Sequence, residues 1–347
     1  MQYVSPSDFV SIRDCPAKAY LLKHSENKLP RSPHSYFYSF CHEFLRKAHG
    51  HFRQKPSASE IRDYWNSEYN SLIEKIRSQE ENFSTLLPLE KYIQEFPNIR
   101  TNIFKEILNR KNKHVDSENR EKFSTFREES INVDGIFGII DFIYQSDDFV
   151  KLVDYKFGNI INENNDIKEE YKVQLYIYSA MYYKEYNILP SALSIKDSSF
   201  NEHIIDLISK EECTELFEEL KKLNKIIANI RSINEISDHA NPSDHNCSFC
   251  SVKIDCKSYW ASNYPLTGNF IDIRGKLKVI HSAYGNNSIE IKSPYSDEII
   301  KILNVPKIFI NDLLIDNTYC FISLSKIGDD ISNKFQFNRY CKIIQIS

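Results

Sequence analysis

Two carboxylates and a lysine stand out in this 347-residue chain because they fall at the ends of neighbouring apolar runs. Gly138-Ile139-Ile140-Asp141 closes one run, and Asp154-Tyr155-Lys156-Phe157-Gly158 closes the next, after Val150, Leu152 and Val153. In an extended chain alternate side chains share a face, so Asp154 and Lys156 project together while Tyr155 points away. Antiparallel pairing of the two strands sets Asp141 beside Asp154 across the ladder. A D-x-K triplet alone is a common surface ion pair. Here the flanks are those of a buried strand, where an Asp and a Lys are costly unless paired or metal-bound. Carboxylate oxygens suit Mg2+ or Mn2+, which polarises a phosphate and acidifies a bound water. A lysine at the same spot orients that water or stabilises charge in the transition state. The chemistry indicated is phosphodiester hydrolysis.

Three further features could join this set. Gln174 and Tyr178 lie four apart on a helical pattern and share a face, which suits hydrogen bonding to a phosphate or metal-bound water, and stacking on a base. His42 sits in an otherwise apolar helical run, Tyr38 to Leu45, where a lone histidine is ordinarily structural and becomes a ligand candidate only with the rest of the set. Eight cysteines are spread unevenly: Cys247, Cys250 and Cys256 cluster, while Cys15, Cys41, Cys213, Cys320 and Cys341 are scattered. Three thiolates are too few for a closed tetrahedral site, and Cys15, before Pro16, is the fourth candidate. Four thiolates select zinc or an iron–sulfur cluster, and spacing does not separate the two. A site joining Cys15 to the late trio would close a loop of more than 200 residues and limit the unfolded chain. The remaining four cysteines read as buried small hydrophobes.

The elements that must position these residues follow from the patterning. A helix is predicted from Ser5-Pro6-Ser7-Asp8 to about Leu22, then helices over 36–52, 59–77 and 89–111. From about Phe123 the texture becomes β-branched and aromatic: 131–133, 136–144 and 149–157 read as an antiparallel meander. A helix over 168–186, short strands at 192–195 and 203–205, and an amphipathic helix over 213–233 follow. A polar loop with Pro242 delivers the chain to the cysteines. Beyond Gly268 strands are predicted at 271–279, 288–292, 308–310, 318–324 and 339–346, a small β-barrel of OB-like or SH3-like type.

Composition narrows the class. Hydrophobic content is 41% with only 8 glycines, which fits a packed protein rather than a disordered or repetitive one. No apolar run approaches a membrane span and no signal-peptide pattern opens the chain, so a cytoplasmic protein without membrane contact is expected. Net charge is −4, so any nucleic-acid surface must be local. The stretch Arg100 to Arg127, rich in Arg and Lys, is the candidate, although a solvated helix face has the same look.

With these residues in view, the chain resembles the RecB-like PD-(D/E)XK nucleases over about residues 5–260. It resembles most the branch carrying an iron–sulfur cluster: the CRISPR-associated exonucleases, the AddB nuclease domain and exonuclease V. The resemblance implies a restriction-endonuclease-like α/β (α+β) core with helical additions. It matches the family's early-helix histidine to His42 and the G-x-x-D acid to Asp141. Its D-Y-K triad falls on Asp154, Tyr155 and Lys156, and Q-L-x-x-Y on Gln174, Leu175 and Tyr178. It implies that His42, Asp141, Asp154 and the Tyr155 carbonyl hold Mg2+ or Mn2+, that Lys156 is catalytic, and that Glu128 or Glu129 adds an outer contact. It also implies a [4Fe-4S] cluster on Cys15, Cys247, Cys250 and Cys256, with zinc as the alternative. Two positions depart from the pattern: Tyr38 stands where the family often has Gly, and Phe157 where it favours Thr or Ser.

The domains expected are a nuclease domain at 1–262, mainly helical over 25–120, and an all-β domain at 263–347. The function expected is a metal-dependent DNA nuclease, a single-strand exonuclease of repair, recombination or defence, acting on DNA that is single-stranded or has a free end. The alternatives are an adaptor subunit beside a helicase or another defence or repair protein, and an endonuclease. No Walker-type loop is present, so any motor is another chain.

Overall fold

Apolar spacing and two prolines set the start of the chain. The computed structural model describes residues 2–52, 54–79, 87–109, 124–146, 149–232, 235–261, 266–267, 270–283, 286–294, 298–327, 333–338 and 341–346. The single helix expected to Leu22 is two, α1 (Phe9–Asp14) and α2 (Pro16–His24), parted at Cys15. Pro16 disfavours helical backbone at the residue before it and suits the opening turn of a new helix. Ser32 then caps α3 (Pro33–His51), its hydroxyl accepting from the Ser35 N–H with Pro33 in the first position. α4 (Ala58–Gln79) and α5 (Phe96–Leu108) pack on α3, and Phe37, Phe40, Phe44, Trp65, Phe96 and Ile103 form one core.

The sheet follows: β1 (Ser124–Val133), β2 (Ile136–Gln145), β3 (Val150–Tyr155), β4 (Ala192–Lys196) and β5 (Glu202–Ile205), in that spatial order. Asp134 and Gly135, with φ of 51° and 81°, make the tight β1–β2 turn that the strand twist favours. β3 and β4 are parallel, the other pairs antiparallel. A parallel pair needs a crossover, supplied by α6 (Glu169–Tyr186), buried from Val173 to Tyr182 except at Tyr176. α7 (Lys210–Ala228) begins with a capping box from Ser209 and Glu212. Its buried Asn224 takes the Tyr3 and Val4 N–H groups on Oδ1 at 2.7 and 3.0 Å and donates back to Val4 O at 3.2 Å. The first residues are thereby fixed to the α6–α7 side of the core, which holds Ile140, Leu152, Leu175, Ile177 and Phe217.

By compactness the chain divides into residues 1–24 with 30–240, and residues 25–29 with 241–347. The cysteine trio thus belongs to the second unit, whereas the sequence placed the junction at 262/263. This unit holds α8 (Asp244–Cys247), α9 (Lys257–Ala261), β6 (Leu266–Thr267), β7 (Phe270–Ala283), β8 (Asn286–Lys292), β9 (Ile299–Leu303), α10 (Lys307–Ile310), β10 (Thr318–Lys326), β11 (Lys334–Gln336) and β12 (Lys342–Ile346). Five strands close on themselves in the order β7-β8-β9-β11-β10-β7. All these pairs are antiparallel except β9–β11, and α10 lies between the third and fourth strands. That order, with one parallel pair and a helix at that point, is the OB arrangement. Ile273, Leu277, Ile289, Ile291, Ile302 and Phe321 fill it.

Two expectations are corrected here. Residues 308–310 are helical, because Pro306 sets a helix start and three apolar residues carry no period of their own. β9 and β11 were not anticipated; the latter has three residues. The basic stretch beyond Asn109 lies outside the described residues up to Phe123. Among the described residues no helix is long and apolar enough to cross a membrane.

Candidate active site

The β2–β3 ladder ends at Phe142 opposite Val153, so Asp141 and Asp154 are the next residues on each strand. There Asp141 accepts the Tyr155 N–H on Oδ2 at 2.8 Å, replacing the ladder bond that no strand supplies. His42, on α3, sits with Nδ1 3.7 Å from the same oxygen, too long for a hydrogen bond. Its ring lies edge-on to Phe157, centroids 4.9 Å apart. β3 continues, paired with β4, to Lys156, whose N–H donates to Lys196 O at 2.8 Å.

Asp154 is only 4% exposed. Gln174 on α6 donates to its Oδ1 at 3.0 Å and accepts from Lys156 Nζ on Oε1 at 2.9 Å. Lys156 Nζ lies 2.8 Å from Asp154 Oδ2, yet that oxygen has no hydrogen bond among the described residues. Among the described residues the Lys156 ammonium is thus the partner that faces this oxygen, as an ion pair. Burial raises the Asp154 carboxyl above the usual carboxylate range, Lys156 pulls it down less strongly, and Asp141 adds to the rise. Burial also opposes the Lys156 charge, but Asp154 and then Asp141 outweigh it and hold the ammonium above its ordinary value. The site therefore holds one firm cation and an anion that gains from a second. Tyr178, four residues after Gln174, lies 3.4 Å from it, and burial, with Asp154, raises its hydroxyl pKa.

Among the described residues no three His, Cys, Asp or Glu side chains are gathered into a group that could hold a metal ion. At the sheet end this reflects how the carboxylates are engaged: Asp141 is turned onto the Tyr155 N–H, and Asp154 onto Gln174 and Lys156. The donor chemistry nonetheless fits a hard divalent ion, with two carboxylates, one buried oxygen lacking a hydrogen bond, and an imidazole beside them. The structure does not bring Glu129 to this set, since its carboxylate accepts the Tyr186 hydroxyl at 2.9 Å. The Glu128 side chain lies outside the described residues.

Two residues that sequence reasoning did not single out, Tyr171 and Phe200, shape the site, and Tyr38 packs beside them. Lys156 Nζ stands 4.9 Å from the centre of the Tyr171 ring, a cation–π contact. Tyr171 precedes Gln174 by three residues and so shares its helix face, a signal the sequence did carry. Phe200, in a left-handed conformation with φ of 63°, packs on Tyr155 and Phe157 with centroids 5.9 and 6.4 Å away; no local signal marks it. Tyr38 abuts Gly158, where an added Cβ would lie 3.2 Å from the ring. Gly158 thus serves close packing against the very residue that replaces a glycine in the family pattern. Gly138 is tighter, 2.8 Å from Tyr178 Cε1.

In the second unit Cys247 and Cys250 are buried and Cys256 is partly buried. The Cys250 N–H donates to Cys247 O at 3.2 Å in a turn. Residues 25–29, which follow α2, are tied to this loop: Asn27 Nδ2 donates to Asp255 at 3.0 Å, and Leu29 N–H to Ser251 O at 2.6 Å. Lys253 and Asp272, 2.6 Å apart and both buried, join it to β7, and the Tyr259 hydroxyl donates to the same Asp272. Cys15 lies in the first unit and is partly buried.

A family model for the PD-(D/E)XK nuclease superfamily matches residues 3–257. The chain belongs to that superfamily, whose members are generally nucleases and typically use Mg2+ or Mn2+. No curated protein matches the chain. Solved structures with partial likeness include the tetrameric p202 HIN2, at 14% identity and TM-score 0.20 over 22% of this chain and 42% of that one. Fission yeast Pot1 with ssDNA matches at 10% identity and TM-score 0.21, over 41% of this chain and 47% of that one. A murine DNA binding protein bound with ds DNA matches at 9% identity and TM-score 0.21, over 64% and 94%. The chain spans less than half the length of the first two, and likenesses of this size carry no argument.

Proposed function

We propose that this protein is a divalent-metal-dependent DNA nuclease, acting on single strands from an end in cytoplasmic repair, recombination or defence. The observation that supports it most is the buried triangle of Asp154, Lys156 and Gln174, with Asp141 and His42 at the same sheet end. His42, Asp141, Asp154 and the Tyr155 carbonyl would hold Mg2+ or Mn2+. When bound, the ion supplies polarisation of the phosphodiester and acidification of a water. Lys156, kept charged by two acids, stabilises negative charge on the phosphate oxygens as it develops. Gln174 holds both Lys156 and Asp154 in place, and Tyr178 closes the apolar side. Asp154→Ala and Lys156→Ala each remove cleavage, by a factor of about 10²–10³ or more, with far-UV circular dichroism unchanged. Full cleavage by both variants overturns this reading. A circular single strand degraded as fast as a linear one replaces exonuclease with endonuclease, and an inert wild type with Mn2+ points to an adaptor beside a helicase or another repair or defence subunit.

In this proposal the nuclease domain runs over 1–262 and the barrel over 263–347. Cys15, Cys247, Cys250 and Cys256 bind a [4Fe-4S] cluster. Support comes from the four-thiolate donor set, the turn joining Cys247 to Cys250, and the tethering of residues 25–29, a short way along the chain from Cys15, to the loop of the late cysteines. Anaerobically prepared protein should absorb near ~400 nm and lose that band in Cys250→Ala, with a lower Tm. Stoichiometric zinc without the band assigns the thiolates to zinc instead.

A further inference from the structure

Away from the sheet end, α4 and α5 line a half-open cavity of about 440 Å3, within the size range of small-molecule sites. Arg62 and Asn66 reach it from α4, one turn apart, and Arg100 and Lys105 from α5. Among the described residues none of the three cations forms an ion pair, and no carboxylate lines the cavity. Phe104 and Leu108, one turn apart on α5, supply an apolar wall. Thr101 is engaged in its own helix, its hydroxyl donating to Pro97 O at 2.8 Å. A second cavity, where α3 leads into α4, is lined by Glu60 and Asp63 as well as Lys55 and lacks this single sign.

We propose that the α4–α5 cavity binds one nucleotide unit of a polynucleotide strand, with phosphate on the three cations and base or sugar against Phe104 and Leu108. Three positive groups facing one space repel one another when it is empty, and a phosphate offsets that. Arginine forks match phosphate oxygens in pairs. Inorganic phosphate alone leaves the apolar wall uncovered, whereas a nucleotide unit uses both halves. In a chain of net charge −4 such a local reserve of positive charge is what an acidic protein needs to hold a strand. The inference rests on the nuclease reading only for the identity of the strand, because binding can be measured without cleavage.

The test is fluorescence anisotropy of the full chain with a labelled oligothymidylate of about 20 nucleotides in EDTA, over a salt series. The triple variant Arg62→Gln, Arg100→Gln, Lys105→Gln should bind about tenfold or more weakly, and its salt slope should fall by about 0.7 for each phosphate that is no longer neutralised. Phe104→Ala should weaken binding with the slope unchanged. The charge-matched control Lys18→Gln, Lys222→Gln, Lys225→Gln should bind like wild type. Equal affinity and slope in the first triple variant, or an equal weakening in the control, overturns the proposal. Displacement of the strand by inorganic phosphate alone at matching concentration overturns it too, in favour of a free-phosphate site. Loss of cleavage in Asp154→Ala with strand binding intact leaves the two claims separately decided.

Discussion

At the scale of single residues, the site is organised around Gln174, which bonds both the acid and the base. Gln174 satisfies Asp154 with its N–H and Lys156 with its carbonyl oxygen, so one amide fixes the separation of an acid and a base that burial would otherwise punish. Gln174→Leu keeps the volume and removes both bonds. It should lower kcat by about 10–100-fold with the fold retained, whereas Gln174→Glu should lower it further, because a third carboxylate competes for Lys156. Steady-state kinetics on one oligonucleotide separates these outcomes, and an unchanged kcat in Gln174→Leu removes Gln174 from its positioning role. Tyr171 makes a second support for the same ammonium, and its ring, not its hydroxyl, makes the contact.

At the scale of elements, the site depends on strand ends. β3 is flanked by β2 on one side and β4 on the other, and the hairpin between β4 and β5 carries Phe200 to Tyr155 and Phe157. Lys151 on β3 pairs with Glu202 on β5, which also accepts from buried Ser194 at 2.6 Å. Burial raises the Glu202 carboxyl, but bonds from Lys151 and Ser194 and the nearby lysines prevail and leave it below its usual 4.5. The sign follows: a depressed carboxyl lends stability above pH 4.5 that fades as pH falls through the folded value. Glu202→Gln should be less stable by about 1 kcal/mol or less at neutral pH, given its partial exposure, and the gap should close in urea titrations at decreasing pH. A constant gap across that range removes the ion pair from the account.

Most of this layer was legible in the sequence, for physical reasons. The β1–β3 meander and α6 are long and rich in apolar residues, and D-x-K has a face by simple alternation. Residues that depend on tertiary position were less legible: His42 and Cys15 were candidates whose partners lie far along the chain, and Phe200, at a hairpin tip, carried no signal. The barrel was recognisable as β, but its register was not. β11 is three residues long, and 308–310 is too short for alternation to be told from a helical turn.

At the scale of the whole molecule, the chain divides into two compact units. The first holds the candidate nuclease set; the second holds the OB barrel and, ahead of it in sequence, three of the four candidate cluster cysteines. Within it the buried Lys253–Asp272 pair joins the cysteine loop to β7, and Asp272 also accepts the Ser323 N–H at 2.8 Å. Lys253→Met leaves Asp272 charged and buried, and should cost about 3–5 kcal/mol. Adding Asp272→Asn removes that charge and keeps an acceptor for Ser323, so the double variant should recover part of the loss. Chemical denaturation reads both, and a double variant no more stable than the single contradicts this assignment. Cys320 and Cys341, whose thiols burial raises to about 12, should resist alkylation in the native protein.

The central claim is that residues drawn from α3, β2, β3 and α6 act together on a phosphodiester. Its most direct test is degradation of end-labelled single-stranded DNA by the wild type, Asp154→Ala and Lys156→Ala with Mg2+ or Mn2+. The claim predicts metal-dependent loss of label by the wild type alone, with both variants folded and silent. Equal degradation by all three, or degradation that persists in EDTA, contradicts it.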